Sequence, residues 1–337
     1  MKLLPLLLLL GAALPAQSYY YSPDNDPTSG AGTNAIPFGT GSATWANQRG
    51  QFLVRSQYLP RKPGLVRSLG FAPGAGGLFL YRAVAIRLGH NTTGSLVGNF
   101  ASNIQGPALT VFNEYGFSWP VTANTWCRIP LARPFVYNGT DNLVVDIVAL
   151  GSDLSSKGVS FRVGNEPRAY NYNFTPRADL KPFGQGCLGS GMKTPAAELL
   201  CLPWIGSQLF DLGLAEGPAG APVFLFVGAS NASWAGLPLP WDLGPLGATG
   251  CRLQVSIHSI LGTVADTLGK ARVPLGIPGD PALQGRSVFF QWLLADAAAN
   301  PAGLTASGGL EALLDRIDPG SASTSTNAGL KIELEIL

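Results

Sequence analysis

The chain is short of charge. Only 12% of its 337 residues are charged, against about 25% in a typical soluble domain. The 22 basic side chains nearly balance the 20 acidic ones, which leaves a formal net charge of +2. So small an excess gives little attraction for a nucleic acid backbone, and nucleic acid is not expected as a partner.

Residues that commonly carry enzyme chemistry are also scarce. Of the two histidines, His90 lies in turn-like sequence, and His258 is expected on the polar face of a strand over 251–261. The nucleophile elbow G-x-S-x-G, the zinc motif H-E-x-x-H and the phosphate-loop pattern are all absent. We therefore expect a non-enzymatic protein with no catalytic residues, no cofactor and no metal site.

Acidic residues keep one enzymatic alternative open, because two carboxylates from distant positions can hydrolyse a glycosidic bond. The closely spaced acidic pairs are Asp24/Asp26, Asp141/Asp146, Asp315/Asp318 and Glu333/Glu335. The first pair lies in "SPDNDPTSG", which resembles a calcium loop but lacks the required glycine and the closing glutamate. A turn-forming cluster is the better interpretation of that stretch.

Long hydrophobic runs are missing after the first residues. The start, "MKLLPLLLLLGAALPAQS", has a lysine, an apolar run and small residues in the order of a secretory signal peptide. We expect residues 1–18 to be this signal, cleaved between Ala16 and Tyr19, and we expect no integral membrane span afterwards. The protein is then exported to the periplasm, the cell surface or the medium.

Cysteine is infrequent, and its use fits export. The four cysteines are Cys127, Cys187, Cys201 and Cys251. They allow three complete disulfide pairings, which spacing alone does not distinguish. No C-x-x-C pair occurs, which argues against a structural zinc site.

Turn-forming residues, in contrast, are abundant: the chain has 43 glycines and 27 prolines, with 46% hydrophobic residues. Short apolar runs alternate with turn signals, and little helical periodicity is present. Residues 286–296 are apolar on both faces, which favours a central strand over a short buried helix, whereas 308–317 fits either a strand or a helical turn. We expect an all-β protein of two β-sandwich or jelly-roll-like domains in tandem.

Changes in composition suggest the division of the chain. We expect a coil-rich segment over 19–50, a first β-sandwich over 51–170 and a second over 183–314, with a linker near 170–182. Residues 315–337 are expected to form a flexible tether followed by a terminal strand. In "LKIELEIL" Leu330, Ile332, Leu334 and Ile336 alternate with charged residues, so this strand is expected to join a sheet edge, with the charged residues facing outward.

Aromatic side chains are the remaining binding candidates. Trp126 and Trp292 lie in apolar strand sequence and are expected in the core. Trp45, Trp119, Trp234 and Trp241 lie in turn-like sequence and are candidates for exposure. The last two belong to "NASWAGLPLPWDLGPLGATGC", which could be a sugar-binding platform or a packed loop held down by Leu237, Leu239 and Leu243.

Residues 183–314 resemble a module found near the C-terminus of many secreted planctomycete-type bacterial proteins. The resemblance rests on "FGQGCLGSG", on "GAPVFLFVGASNASWAGLPLPWDLGPLGATGCRLQVS" and on "VPLGIPGDPALQGRSVFFQWLLAD". The first half, with "IPFGTGSATWANQRGQFLV" and "NTWCRIPLARPFVYNGTDNLVVDI", is similar to a module that accompanies it in short exported proteins.

The resemblance implies a β-rich extracytoplasmic protein and supplies no catalytic residues. It places Cys187 and Cys251 at recurrent cysteine positions and so implies that they pair, which leaves Cys127 and Cys201 for a second bridge across the halves. It also implies a role in surface display, adhesion or assembly. We expect a structural, adhesive or binding role, with extracellular polysaccharide or other surface proteins as partners. A carbohydrate-binding protein and a glycoside hydrolase with dispersed carboxylates are the alternatives.

Overall fold

The protein is nearly all β. The structure, a computed structural model, describes residues 18–30, 32–38, 45–152, 160–317 and 321–337. The 3₁₀ turns in these ranges include Ser56–Tyr58, Phe100–Asn103, Gly244–Leu246 and Pro281–Leu283. The all-β expectation is confirmed. Apart from Ser18, the expected signal peptide lies outside the described residues.

The strands of the first half follow one another closely. They are β1 (Ser18–Ser22), β2 (Gly32–Asn34), β3 (Gln48–Val54), β4 (Gly64–Phe71), β5 (Gly77–Leu80), β6 (Ala83–Asn91), β7 (Gln105–Tyr115), β8 (Ser118–Val121), β9 (Cys127–Tyr137), β10 (Asn142–Leu150), β11 (Phe161–Gly164) and β12 (Arg168–Asn171).

The second half has shorter strands. They are β13 (Asp179–Phe183), β14 (Ala196–Leu199), β15 (Asp211–Ala215), β16 (Pro222–Gly228), β17 (Ser233–Trp234), β18 (Leu237–Pro238), β19 (Trp241–Asp242), β20 (Arg252–Leu253), β21 (Ser259–Val264), β22 (Ala271–Pro274), β23 (Ser287–Ala295), β24 (Leu304–Leu313), β25 (Ser323–Ser325), β26 (Gly329–Leu330) and β27 (Ile332–Ile336).

Two antiparallel sheets form the first sandwich. One has the strand order β1-β27-β4-β9 and the other β25-β12-β3-β10-β6-β7. Apolar side chains from alternate positions of both sheets fill the space between them, including Phe52, Leu69, Ile86, Val145 and Leu334. The alternation along each strand thus gives one core and leaves the other face of each sheet to be covered separately.

A second sandwich packs the sheet β13-β24-β23-β16-β21 against the sheet β14-β15-β22. Its core includes Leu214, Val223 and Leu310, together with Trp292, whose indole Nε1 donates to the Gly213 carbonyl at 2.9 Å. Strand β23 is central, as its two apolar faces predict. Of the two possibilities for 308–317, the strand is confirmed, since β24 runs through Leu313.

The terminal strand belongs to the first sandwich. β27 pairs with β1, from Ser18 opposite Ile336 to Ser22 opposite Ile332, and on its other side with β4. The expected strand is confirmed, but it lies inside a sheet rather than at an edge. The chain therefore leaves the first sandwich after β12 and returns to it with β25.

This interior position overturns the expectation that the charged face of the terminal strand points to water. Lys331 and Glu333 are both buried. The Lys331 ammonium lies in the loop that resembles a calcium site, where it donates to a carboxylate oxygen of Asp24, to the Asp26 carbonyl and to Ser29 Oγ at 2.5, 2.5 and 2.6 Å. Glu333 accepts from Arg128, with Nη2 and Oε2 at 2.9 Å.

Strands also occur in two segments expected to be coil. The segment 19–50 contains β2, most of β1 and the start of β3. In the expected tether, β25 pairs with β12 and β26 pairs with β11, and residues 318–320 lie outside the described residues. Both segments are rich in small polar residues, so they lack the apolar alternation that predicts a strand. Their strands are held mainly by backbone hydrogen bonds.

A charged layer lies on the face of the six-stranded sheet that points away from the first core. Asp146 is buried, with Gln51 and Arg87 directly opposite it on the neighbouring strands. Arg49 donates hydrogen bonds to both carboxylate oxygens of Asp146, at 3.0 and 2.9 Å, and Arg87 donates to one of them. The remaining amino group of Arg49 donates to the Ile317 carbonyl at 2.9 Å, which ties the end of the second half to this layer.

The two sandwiches also meet beside this layer. Trp204 and Leu202 from the second half pack on Ala83 and Val148 of the six-stranded sheet. The Asn113 amide donates to the Leu202 carbonyl at 2.9 Å. In the described ranges no helix is both long and apolar enough to cross a membrane.

The buried ion cluster generates a stability prediction. We expect Asp146→Asn to lower the free energy of unfolding by about 3–5 kcal/mol, because it leaves two arginines without their counter-charge. Asp242→Asn is the matched control, since Asp242 is exposed and its Oδ1 accepts from Gly244 N in a way that asparagine can reproduce. Urea unfolding at neutral pH measures both.

The loss of stability caused by Asp146→Asn should depend on pH. Burial by itself would raise the pKa of Asp146, but the charges of Arg49 and Arg87 and their hydrogen bonds hold this pKa well below its ordinary value. The stabilisation is therefore complete above the unfolded pKa, about 3.9, and is lost as the pH falls below it. The difference in free energy of unfolding between wild type and Asp146→Asn should therefore become smaller below about pH 4. A difference that grows there would contradict this explanation.

Candidate functional site

The loop expected as a sugar platform is largely packed. Trp234 in β17 and Trp241 in β19 are half-buried against a small cluster that contains Phe226, Val255 and Phe289. The indole Nε1 of Trp234 donates to the Ile257 carbonyl at 3.2 Å. Part of each indole surface is therefore buried in the contact that holds this loop on the second sandwich.

The leucines of this loop divide between the two environments. Leu239 and Leu243 pack on the same cluster, as expected, whereas Leu237 is exposed and the prediction for it was wrong. Leu237 pairs with Trp234 across a tight hairpin of β17 and β18, and the turn points its side chain outward.

One of the two expected disulfides forms. Cys187 and Cys251 are bonded, with their Cα atoms 4.8 Å apart, and close the end of this loop onto the start of the second sandwich. The bridge between Cys127 and Cys201 was wrong: both are free thiols, Cys127 in the first core and Cys201 in the second. Burial raises the pKa of the Cys201 thiol to about 12, so it stays protonated and unreactive.

The remaining tryptophan expectations had mixed outcomes. Trp292 is buried and Trp45 exposed, as expected. Trp119 is buried instead, stacked on Phe161 with ring centroids 5.6 Å apart. Trp126 is half-buried rather than in the core, against Tyr21, because it lies in the turn before β9. Surrounding turn residues were therefore a poor guide to burial.

The two histidines lie in different surroundings, and the acidic pair Asp315/Asp318 is described only at Asp315. His258 is exposed in a bend between β20 and β21, so the expected strand over 251–261 is interrupted. His90 Nε2 accepts from the Asn138 N–H at 3.2 Å, and burial lowers the pKa of His90. Asp318 lies outside the described residues. Within the described ranges no group of three or more His, Cys, Asp or Glu side chains could hold a metal ion.

An aromatic pocket opens at the end of the first sandwich, beside β3 and β12. It encloses about 340 Å³ and is lined by Trp45, Gln48, Arg168, Tyr170 and Tyr172, together with residues 34–36. We call these residues the aromatic pocket. Its volume lies at the small end of the range for ligand sites, about 300–1,000 Å³.

Strand alternation builds one wall of the aromatic pocket. Arg168 and Tyr170 point to the same face of β12, and Tyr172 follows directly after the strand. Tyr170 and Tyr172 are stacked with their centroids 6.1 Å apart, and Trp45 meets Tyr172 edge-on at 5.7 Å. The three rings form a continuous aromatic surface, on which Trp45 and Tyr172 keep 45% and 42% of their area exposed.

Two backbone features fix the opposite wall. Gln48 Nε2 donates to the Trp45 carbonyl at 2.9 Å, and Asn34 Oδ1 accepts from the Ile36 N–H at 2.9 Å. Gly50 lies across from Tyr170, and a Cβ there would come within 2.6 Å of the Phe52 ring. The glycine at this position therefore leaves room for the Phe52 ring of the first core.

Arg168 gives the aromatic pocket its charge. Its guanidinium carbon lies 4.3 Å from the centroid of the Tyr170 ring, a cation–π contact. The residue is 7% exposed, and its Nε and Nη1 have no hydrogen-bond partner among the described residues. Burial lowers the pKa of Arg168, which nevertheless remains charged at neutral pH.

Sequence patterns did not indicate this pocket, because Arg168, Tyr170 and Tyr172 lie at the boundary between the expected first sandwich and the expected linker near 170–182, where apolar periodicity is absent. A signal was present: in "RAYNYN" Arg168, Tyr170 and Tyr172 alternate with the smaller residues alanine and asparagine, which is the pattern of a strand with one functional face.

In comparisons with known proteins, the sequence matches no protein-family model and no curated protein.

The cysteine assignment is directly testable. In the native protein we expect neither Cys127 nor Cys201 to react with a thiol reagent, because both are buried. Unfolding without reductant should release those two thiols, and peptide mapping should recover Cys187 and Cys251 as one linked pair. Labelling of Cys187 or Cys251 without reductant would contradict the structure.

Proposed function

We propose that the protein is an exported, non-enzymatic β-sandwich protein that binds extracellular carbohydrate through the aromatic pocket. The observation that carries the proposal is the surface of Trp45, Tyr170 and Tyr172, two of which keep more than two fifths of their area exposed beside a cavity. Exposed rings grouped around a cavity are a feature of ligand sites rather than of a closed core.

A sugar suits this surface in chemistry and size. Pyranose rings present C–H groups that stack on aromatic faces, and hydroxyl groups that need hydrogen-bond partners. The aromatic pocket offers three rings beside the amide of Gln48 and the guanidinium of Arg168. A few polar groups among apolar walls are what orients a small ligand.

The aromatic pocket is the better candidate than the loop with Trp234 and Trp241. Both of those indoles pack on the cluster beneath them, and Trp234 spends its only donor on the Ile257 carbonyl. The three rings of the aromatic pocket instead line one open volume, and Trp45 and Tyr172 are exposed.

Export is supported by two features. The first 18 residues have the composition of a signal peptide. The Cys187–Cys251 disulfide is of a kind that persists in oxidising compartments. Cell fractionation followed by N-terminal sequencing tests this part of the proposal: a cytoplasmic protein that still carries residue 2 would contradict it.

Binding is tested on purified protein with a broad panel of soluble and insoluble polysaccharides, by affinity electrophoresis and calorimetry. We expect wild type to bind at least one polysaccharide of the panel. Trp45→Ala should bind the same polysaccharide about tenfold more weakly, because this substitution removes one stacking surface. Tyr172→Ala should have a similar effect.

Trp241→Ala is the matched control, because it removes a half-buried tryptophan of the second sandwich and leaves the aromatic pocket intact. Affinity should not change in this variant. Failure of wild type across the whole panel would remove the carbohydrate proposal, and a loss confined to Trp241→Ala would move the site to the loop.

A further inference from the structure

The described chain has two buried arginines, and their environments differ sharply. Arg49 is bonded through Nε and Nη2 to Asp146 and through Nη1 to the Ile317 carbonyl. Arg168 lines the aromatic pocket, takes part in none of the described ion pairs, and has two buried donors without an acceptor among the described residues.

Such a donor set is costly to keep for stability alone. Removing a guanidinium from water loses its hydration, and native proteins normally compensate each buried donor with an acceptor. The cation–π contact with the Tyr170 ring offsets part of the lost hydration free energy, but the face of a ring offers no oxygen acceptor to the N–H groups. The guanidinium lines the cavity, so the charge of an anion bound there would offset the cost of burying it.

The charge of the pocket defines that ligand. Arg168 is the charged side chain among the described lining residues, and none of the described residues around the cavity is acidic. The pocket is therefore cationic and complementary to an anion. A carboxylate matches the planar guanidinium and forms charge-assisted hydrogen bonds with it.

The spacing of Arg168 and Tyr170 along β12 places the positive charge beside the aromatic surface. Arg168 and Tyr170 are two positions apart on one face of β12, which separates their Cα atoms by about 7 Å. A single sugar ring that carries a carboxylate can therefore stack on an aromatic ring while its carboxylate reaches the guanidinium. The cavity of about 340 Å³ is suited to one such residue.

We infer that the aromatic pocket selects acidic sugars, with Arg168 binding the carboxylate of a hexuronic acid residue in an extracellular polysaccharide. This inference rests on the proposed carbohydrate-binding function and adds to it the substrate class. Arg168 is then the residue that sets specificity, and the aromatic rings provide contact that neutral and acidic sugars share.

The test compares matched probes on the wild-type full chain. The first is a hexuronate oligosaccharide, and the second is the same oligosaccharide with its carboxyl groups chemically reduced to neutral hydroxymethyl groups. We expect calorimetry to show the acidic probe binding at least about tenfold more tightly, the contribution of one charge-assisted hydrogen bond. A sulfated version of the neutral probe should bind more weakly than the uronate.

The outcomes separate the two levels of the proposal. Equal binding of the acidic and neutral probes would overturn the acidic-sugar inference while leaving carbohydrate binding intact. Failure of the whole polysaccharide panel would remove the proposed function itself. Tighter binding of the sulfated probe would contradict the assignment of a carboxylate.

A variant pair adds a readout that a structural role would not give. Arg168→Met should lower affinity for the uronate to that of the neutral probe, and the urea midpoint should rise or stay unchanged, since a buried unpaired charge is removed. Arg252→Met, at an exposed arginine of the second sandwich, is the control and should change neither. A lower midpoint with unchanged uronate affinity would show that Arg168 is structural and overturn the inference.

Discussion

The pairing of β27 between β1 and β4 is the constraint on which the first sandwich depends. It joins the two ends of the described chain in one sheet and supplies Ile332, Leu334 and Ile336 to the main core. These contacts connect residues about 300 positions apart, so their formation carries the entropic cost of closing a very long loop. The long return also explains why β25, β26 and β27 lie beside strands of the first half.

The same closure brings charges into the interior, and each is paired. Lys331 is surrounded by the oxygens of the loop over residues 24–29, and Glu333 is bonded to Arg128. Asp146 lies between Arg49 and Arg87 on the sheet opposite. Arg168 stands out against this pattern, and its place beside the aromatic pocket links the exception to binding.

The features that were predictable depend on strong local patterns. The two apolar faces of β23 indicated a central strand, and the alternation in "LKIELEIL" indicated β27. What the patterns did not contain was the partner of each strand, because a register across 300 residues leaves no local mark. The charged face of β27 therefore looked solvent-exposed, although β1 and its loop cover it.

The candidate site was less predictable than the fold. Tryptophans in turn-rich sequence drew attention to Trp234 and Trp241, yet sequence context says little about whether a ring packs downward or faces a cavity. Trp45 lies more than 100 positions from Tyr170 and Tyr172 along the chain, so only the pairing of β3 with β12 brings them together. The disulfide came from the resemblance and not from spacing, which left all pairings open.

A crystal structure of the protein with a bound hexuronate oligosaccharide tests the central claim most directly. The account predicts a sugar ring against Trp45 and Tyr172, with its carboxylate oxygens within hydrogen-bond distance of the Arg168 guanidinium. A sugar bound elsewhere on the protein, with the aromatic pocket empty, would contradict it.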